Sequence, residues 1–388
     1  MRPIRTALIG FGKIAEDQHV PAMLSNGRFE LAASVSRQGK GPQPNFRDTA
    51  GLLAAGLGLE AVAITTPPGP RFAIARDCIA AGLHCLLEKP PAATLGEVEE
   101  LRRLAQAKGV TLFTTWHAQY NEGVVAARKL LTGQRIRSMA ITWHEDVHKW
   151  HPGQRWVFEP GGFGVFDPGI NAFSVATAIL PAPLFVREGT LFFPRGAHTP
   201  IAAELVFDSP AADGPLSASF DWRKTDSEER TVIVETADGA TIELCDGGAR
   251  LLLDGNEIPG DGVGEYPGLY ARFAQLIDCR TSQVDAEPLR LVADSLLVAR
   301  REDVEAVTIC AVPARAGTAW FIAPLARGPG LRRDDAYLTT GPACGPLVGE
   351  RLRTRGQPSA HSSRSSSRTR RLLTSSPGLS RTRRRSTP

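Results

Sequence analysis

The stretch ALIGFGKIA, Ala7 to Ala15, decides the fold of this chain. An apolar run enters it, two glycines one residue apart interrupt it, and a mixed polar and apolar run leaves it. That is the order strand, tight turn, helix. Gly10 permits the turn, and Gly12 lets an anion come close to the backbone. The amides of a helix starting near Lys13 would then point at that anion. The third glycine of the usual fingerprint is Ala15 here. Two glycines alone say little, and the flanking sequence gives them weight.

Reading outward, RTALIG, FELAASVS, EAVAITT, HCLLEKP and VTLFTTW are short apolar runs suited to strands. HVPAML, FRDTAGLLAAG, GPRFAIARDCIAAG and TLGEVEELRRLAQAKG lie between them and read as helices. In the last, Leu95, Val98, Leu101 and Leu104 recur on one side, and Thr94 with Glu97 forms a capping-box signal. Such alternation predicts an α/β fold with a parallel, doubly wound Rossmann sheet over residues 1–120.

From about Ile136 the pattern changes. SMAITWHED, LFVREGTLFFP, AAELVFDS, LSASFDWRK, RTVIVETA, ATIELCD and ARLLLD alternate as strands do, and TADGAT and LDGNE carry Asp-Gly turn signals. They predict a C-terminal α/β domain, residues 121–310, with a mostly antiparallel open sheet. Two helical patterns, YPGLYARFAQLID and PLRLVADSLLVARREDVEAV, close the body, and residues 288–307 are expected to pack back on the first domain. Residues 311–388 hold no period and turn into an Arg/Ser-rich tail, expected to be disordered, either inert or the product of a reading-frame shift.

The formal net charge of +4 conceals an acidic body. Removing the eleven arginines of residues 351–388, a segment without acids, leaves −7 on residues 1–350. No nucleic-acid groove is expected in it. Over the whole chain, 42% hydrophobic and 22% charged residues are ordinary for a soluble protein. Its apolar runs fall short of a membrane span, and MRPIRTALIG lacks a signal peptide's apolar core, so a cytoplasmic location is expected. Six scattered cysteines without CxxC spacing read as reduced thiols, and no metal site is expected.

The end of the second strand meets the adenosine ribose in this fold. An acid there favours NAD, whereas this chain has Ser36 and Arg37 with Lys40 nearby. A hydroxyl and a guanidinium suit a 2′-phosphate, so NADP, or use of both cofactors, is expected. A solvated surface arginine is the plain alternative. At the carboxyl end of another parallel strand stands Glu88-Lys89-Pro90. Lys89 would point into the crevice, where partial desolvation lets a lysine exchange protons near neutrality, and a surface charge at the strand end is the plain alternative. Further on, Lys149 to Phe173 packs two Trp, a His and five Gly around Asp167 and Asn171, which share a helix face at four-residue spacing. Its PGGFG predicts backbone that approaches a ligand closely. Trp116 and Trp143 read as core.

GFGKIA, the Thr65–Pro68 run TTPP and EKPPAATLGE together resemble the Gfo/Idh/MocA family of sugar dehydrogenases, over residues 4–307. WHEDVHKWHPGQRW and PGGFGVFDPGINAFS resemble a narrower branch, the D-galactose and L-arabinose 1-dehydrogenases. The resemblance implies that Gly10, Gly12, Lys13 and Ile14 line the pyrophosphate, with Thr65, Thr66, Pro67 and Arg71 along the cofactor. It implies Glu88 near the nicotinamide ribose, Lys89 beside the reacting carbon, and Lys89, Asp167 and Asn171 as the catalytic group. Most of the family resembles D-x-x-x-H where this chain has Asn171. For the sugar, a monosaccharide, it implies His117, Glu145, Trp150, His151, Arg155 and Trp156 beside Lys89, Asp167 and Asn171, and subunit association through the open sheet. The expected reaction is oxidation of an aldopyranose at C1 to its lactone. The alternatives are another sugar or an inositol, a non-catalytic NADP-binding regulator, and a nucleic-acid role for the tail.

Overall fold

The computed structural model describes residues 2–307; the segment 311–388, with Cys344, and Cys310 lie outside the described residues. β1 (Ile4–Ile9), β2 (Phe29–Val35), β3 (Asn45–Phe46), β4 (Ala61–Ile64), β5 (His84–Leu87) and β6 (Leu112–Thr114) form one sheet in the order β3-β2-β1-β4-β5-β6. Every pairing in it is parallel. The connecting helices are α1 (Val20–Ser25), α2 (Thr49–Ala54), α3 (Pro68–Ala80) and α4 (Leu95–Lys108). All four residues of β4 are buried, because covered parallel strands have no wet face. α4 carries the expected cap: Glu97 N–H donates to Thr94 Oγ1 at 3.2 Å, and Thr94 N–H donates to Glu97 Oε2 at 3.3 Å.

α5 (Glu122–Leu131) leads into the second sheet. Its strands are β7 (Ile136–His144), β8 (Phe185–Pro194), β9 (Ala202–Asp208), β10 (Leu216–Asp221), β11 (Glu229–Thr236), β12 (Thr241–Cys245), β13 (Arg250–Leu253), β14 (Asn256–Ile258) and β15 (Arg300–Val304). They stand in the order β14-β13-β12-β11-β7-β10-β9-β8-β15. Only β7 with β10 and β8 with β15 run parallel. In β9, Ala203, Leu205 and Phe207 are buried while Glu204, Val206 and Asp208 are exposed, the alternation of a sheet covered on one side. The cover is α7 (Phe166–Ile179), whose Phe173 meets Phe220 of β10 edge-on at 5.1 Å. At the LDGNE turn, Asp254 and Gly255 both have positive φ, 51° and 76°, as a two-residue hairpin requires.

The last helical pattern departs from expectation. It is read as one helix to residue 307 lying on the first sheet, but α9 (Glu287–Val298) stops where Ala299 turns extended. Residues 300–304 then pair with β8 as an edge strand. RREDV offers no apolar period to hold a helix, so backbone pairing decides. α9 packs on α7 and β8. The element that returns to the first sheet is α8 (Glu265–Cys279), where Phe273 stacks on Phe29 at 5.8 Å and on Phe113 at 6.2 Å. A second departure lies at Ala15–His19, a π-helical turn inserted between the glycine turn and α1. No helix among the described residues is long and apolar enough to cross a membrane.

Candidate active site

The glycine turn closes β1 against the end of β4. Gly10 has φ 97°, and a Cβ there would lie 2.8 Å from the Thr66 amide nitrogen and 2.9 Å from Thr66 Cγ2. Only glycine fits. The Thr65 hydroxyl donates to the Gly10 carbonyl, and Thr65 N–H donates to Ile9 O at 2.9 Å. Gly12 differs: a Cβ there would meet no protein atom within 4 Å. The Thr66 hydroxyl is buried without a partner. An open glycine backbone, the start of a helix and an orphaned hydroxyl suit a dinucleotide pyrophosphate. Lys13 pairs with Asp17, and Ile14 stands exposed beside the turn. Ser36 is buried, its Oγ accepting from Gln38 N–H at 3.3 Å. Arg37 and Lys40 are exposed, and neither has an ion-pair partner among the described residues.

Glu88 and Lys89 follow directly after β5, and Lys89–Pro90 is a cis peptide. Arg71, expected to face cofactor, is instead buried in α3 and donates to the carbonyls of Thr66, Glu88 and Pro90. Burial pushes its guanidinium down to about 10, with Glu88 and Asp167 pulling the other way. Glu88 also turns inward. Its Oε2 accepts from Lys89 N–H at 2.6 Å, and its Oε1 accepts from Tyr266 at 2.8 Å and contacts His19 Nε2 at 3.3 Å. Burial pushes this carboxyl up, but the His19 bond and the fields of His19, His117 and Lys89 win, holding it well below the usual range. These two residues, expected at the cofactor from their place in the motif, make their bonds to protein.

Lys89 Nζ donates to Asp167 O at 2.9 Å and reaches Asp167 Oδ1 at 3.5 Å. Asp167 Oδ2 lies 3.1 Å from His151 Nε2. The three form a continuous chain at the start of α7. Burial again pushes the carboxyl up, and Lys89 with His151 more than offsets it, so Asp167 stays ionised well below the usual range. Asn171, one turn on, has a buried Oδ1 with no partner. His117 belongs to the Glu88 side: its ring stacks on Tyr266 at 5.5 Å, and Nδ1 lies 3.1 Å from Glu265 Oε1 without hydrogen-bond alignment. Burial lowers its pKa, yet Glu265 and Glu88 raise it further, for a net upward shift. Glu145 is buried, accepts from Trp143 Nε1 at 2.9 Å, and is pushed up by burial against Arg230.

The segment expected as a loop over the sugar contains α6 (Val147–Trp150) and a 3-10 turn, Arg155–Phe158. Trp150 is 44% exposed and donates to Glu228 at 2.6 Å. Trp156 meets the His151 ring edge-on at 6.2 Å. Arg155 does not join the Lys89 group in any described bond; it borders a separate cleft of ≈ 430 Å³ with Arg195 and His198. In PGGFG, a Cβ on Gly162 would strike the Trp156 and Val157 carbonyls, and one on Gly164 the Pro200 carbonyl. These glycines serve backbone packing rather than approach to a ligand. Trp116 and Trp143 are buried, as expected. Sequence reasoning missed His19, Tyr266, Tyr270 and Trp222. Trp222 is fully buried, 5.0 Å from His151 ring to ring, with its indole N–H unpartnered.

The Gfo/Idh/MocA model, an oxidoreductase family with an NAD-binding Rossmann fold, matches residues 4–116. The chain is 44% identical over 309 residues to galactose 1-dehydrogenase of Pseudomonas fluorescens, covering 79% of this chain and 99% of that one. The crystal structure of D-galactose-1-dehydrogenase from Rhizobium etli superposes with a TM-score of 0.76 at 42% identity, over 79% of this chain and 99% of that one. The 3-ketoreductase KijD10 of Actinomadura kijaniata, solved with NADP and TDP-benzene, shares the fold at 17% identity and a TM-score of 0.67, over 78% of this chain and all of that one.

Proposed function

The chain belongs to the Gfo/Idh/MocA family of NAD(P)-dependent oxidoreductases, and we propose that it oxidises an aldopyranose, D-galactose and/or L-arabinose, at C1 to the lactone. The observation that carries this reading is the Lys89–Asp167–His151 chain at the carboxyl end of β5. Parallel sheets present their ligands at that end.

NAD(P), when bound, supplies the hydride acceptor at nicotinamide C4. Gly10, Gly12, Lys13 and Ile14 would hold its pyrophosphate, and Thr65, Thr66 and Pro67 would run along it. Ser36 and the unpaired Arg37 favour a 2′-phosphate, hence NADP. Lys89 Nζ, as the neutral amine, takes the proton of the C1 hydroxyl and becomes the ammonium. Asp167 orients that ammonium, and His151 orients Asp167. Asn171 has no proton to take up; its unpartnered Oδ1 accepts from a sugar hydroxyl instead. His117, part-buried, and Glu145, buried, both lie in the Lys89 field and border the ring. The cofactor is carried by residues 1–120 and the sugar by 121–310, with subunits associating through the open sheet.

D-galactose and L-arabinose share ring stereochemistry and differ by one hydroxymethyl group, which a pocket discriminates by only about 1–3 kcal/mol. The test is kcat/KM for both sugars with NADP and with NAD, against D-xylose, D-glucose and an inositol. Turnover of the first two with NADP is expected. Cofactor binding without turnover of any sugar would overturn the reading and point to a regulator.

A further inference from the structure

Lys89 is the residue whose placement matters most, and its own bonds hold only its tip. Its main chain stands in a turn that Pro90 and Pro91 deprive of amide donors. Two buried ions clamp that turn. The Arg71 guanidinium takes the carbonyls on one side of it, and the Glu88 carboxylate takes the Lys89 N–H on the other. A buried carboxylate holds a fixed direction only when its remaining lone pairs are satisfied. The groups that satisfy Glu88 come from far along the chain. Tyr266 donates from α8, and His19 Nε2 approaches from the π-helical turn behind the glycine turn. His19 is itself fully buried, with Nδ1 bonded to Tyr270 OH at 2.9 Å and its ring edge-on to Tyr266 at 5.0 Å. A proton on Nε2 points at Glu88, whether Nδ1 accepts from the Tyr270 hydroxyl or donates to it.

We propose that His19 is a positioning residue for Lys89: with Tyr266 it aims the Glu88 carboxylate, and the carboxylate in turn fixes the Lys89 main chain. Nothing else in the Glu88 shell needs a histidine at this place. A buried apolar side chain would fill this fully buried place without an unpaired nitrogen to satisfy. The π-helical turn carries His19 on the same short segment that begins at Gly12, so the element that cradles the cofactor also braces the lysine. The inference rests on Lys89 being the proton acceptor.

Three variants test it: His19→Leu, which removes both ring nitrogens; His19→Gln, whose amide can donate to Glu88 again; and Tyr266→Phe, which deletes one hydroxyl and keeps the ring. Each is read by thermal melting, by cofactor affinity, by kcat and KM for the sugar, and by hydrogen exchange of the Lys89 amide. Pro90 and Pro91 carry no amide, so a peptide ending there reports Glu88 and Lys89. His19→Leu should lower kcat about tenfold, the loss expected from a misplaced catalytic group. Sugar KM and cofactor affinity should stay within about twofold, because only the alignment of Lys89 changes. Its Lys89 amide should exchange faster, and His19→Gln should recover most of both. Unchanged kcat and unchanged amide exchange in His19→Leu overturn the proposal. So does a Gln variant no better than Leu, since that makes the ring a packing element. If His19→Leu does not fold, Tyr266→Phe carries the same two readouts, and unchanged values of both overturn the proposal in the same way. Amide exchange needs no turnover, so faster exchange in a protein whose wild type oxidises no sugar would sink the proposed reaction and leave the brace standing.

Discussion

Lys89 stands between two carboxylates, Glu88 buried and Asp167 part-buried, and the two sides are built differently. On the β5 side, Glu88 is enclosed by Tyr266, His19 and the Lys89 amide, all in the protein core. On the α7 side, Asp167 touches Lys89 and His151, whose side chains keep 17% of their surface exposed. Burial pushes both carboxyls up, and their partners hold both well below the usual range. Equal electrostatic outcomes therefore arise from a sealed cage and from an open chain. The sealed side can only orient, while in the proposed reaction the open side passes a proton from substrate toward solvent.

The most damaging way to probe that contrast is Lys89→Ala. It removes the group both sides converge on, so kcat should fall about 10³-fold, within the range a lost general base costs. Cofactor affinity should hold, because the glycine turn makes no described contact with the Lys89 ammonium. Near-normal turnover in this variant would sink the assignment of Lys89. Asp167→Asn is next. It keeps the shape and the bond from Lys89 to the main-chain carbonyl but removes the charge, so a loss of about 10²-fold in kcat is expected. Should Asp167→Asn instead keep full kcat and raise only sugar KM, Asp167 belongs to binding and the open side passes no proton.

The same variant reads stability. The native value of Asp167 is depressed, so its ionised form stabilises the fold at pH above about 3.9, the ordinary aspartate value. That contribution is lost as pH falls through the native value. Wild type should therefore melt higher than Asp167→Asn at neutral pH, and the gap should close below about pH 4. A gap independent of pH would show that the asparagine acts through packing rather than charge.

Much of the open side and little of the sealed side is legible in the sequence. Gly10, Gly12, Thr94 with Glu97, and Lys89 at a strand end announce themselves locally, because turns, caps and strand ends are written in adjacent residues. Asp167 and Asn171 share a visible helical spacing. His19, by contrast, lies 69 residues from Glu88 and 251 from Tyr270, and a lone histidine in an apolar run carries no local mark. Motif position also misleads where orientation matters. Arg71 and Glu88 stand where cofactor-facing residues are expected, yet burial leaves their polar groups no stable choice but protein partners. Gly162 and Gly164 of PGGFG read as room for a ligand, and the carbonyls of Trp156, Val157 and Pro200 take that room. RREDV reads as helix, since edge pairing across more than a hundred residues leaves no trace in a short window.

The smallest expected effect concerns what covers the open side. The Asp146–Arg155 segment brings His151 to Asp167 and is tied at its surface through Trp150 and Lys149. Trp150 Nε1 donates to Glu228 at 2.6 Å, Lys149 Nζ pairs with the same carboxylate at 2.8 Å, and Lys149 and Arg230 lie 4.9 and 5.8 Å from the Trp150 ring centroid. Trp150 and Lys149 are exposed and Glu228 and Arg230 part-buried, so each contact contributes little to stability. Trp150→Phe keeps an aromatic face for the two cations and removes only the indole N–H. Melting should shift by a degree or two at most, and kcat should stay near wild type because Lys89 and Asp167 are untouched. Sugar KM should rise by about two- to fivefold, the cost of one polar contact that helps hold the cover in place. A tenfold fall in kcat would instead mean that the cover sets His151, and through it Asp167, so that the open side depends on its surface strap as the sealed side depends on its core.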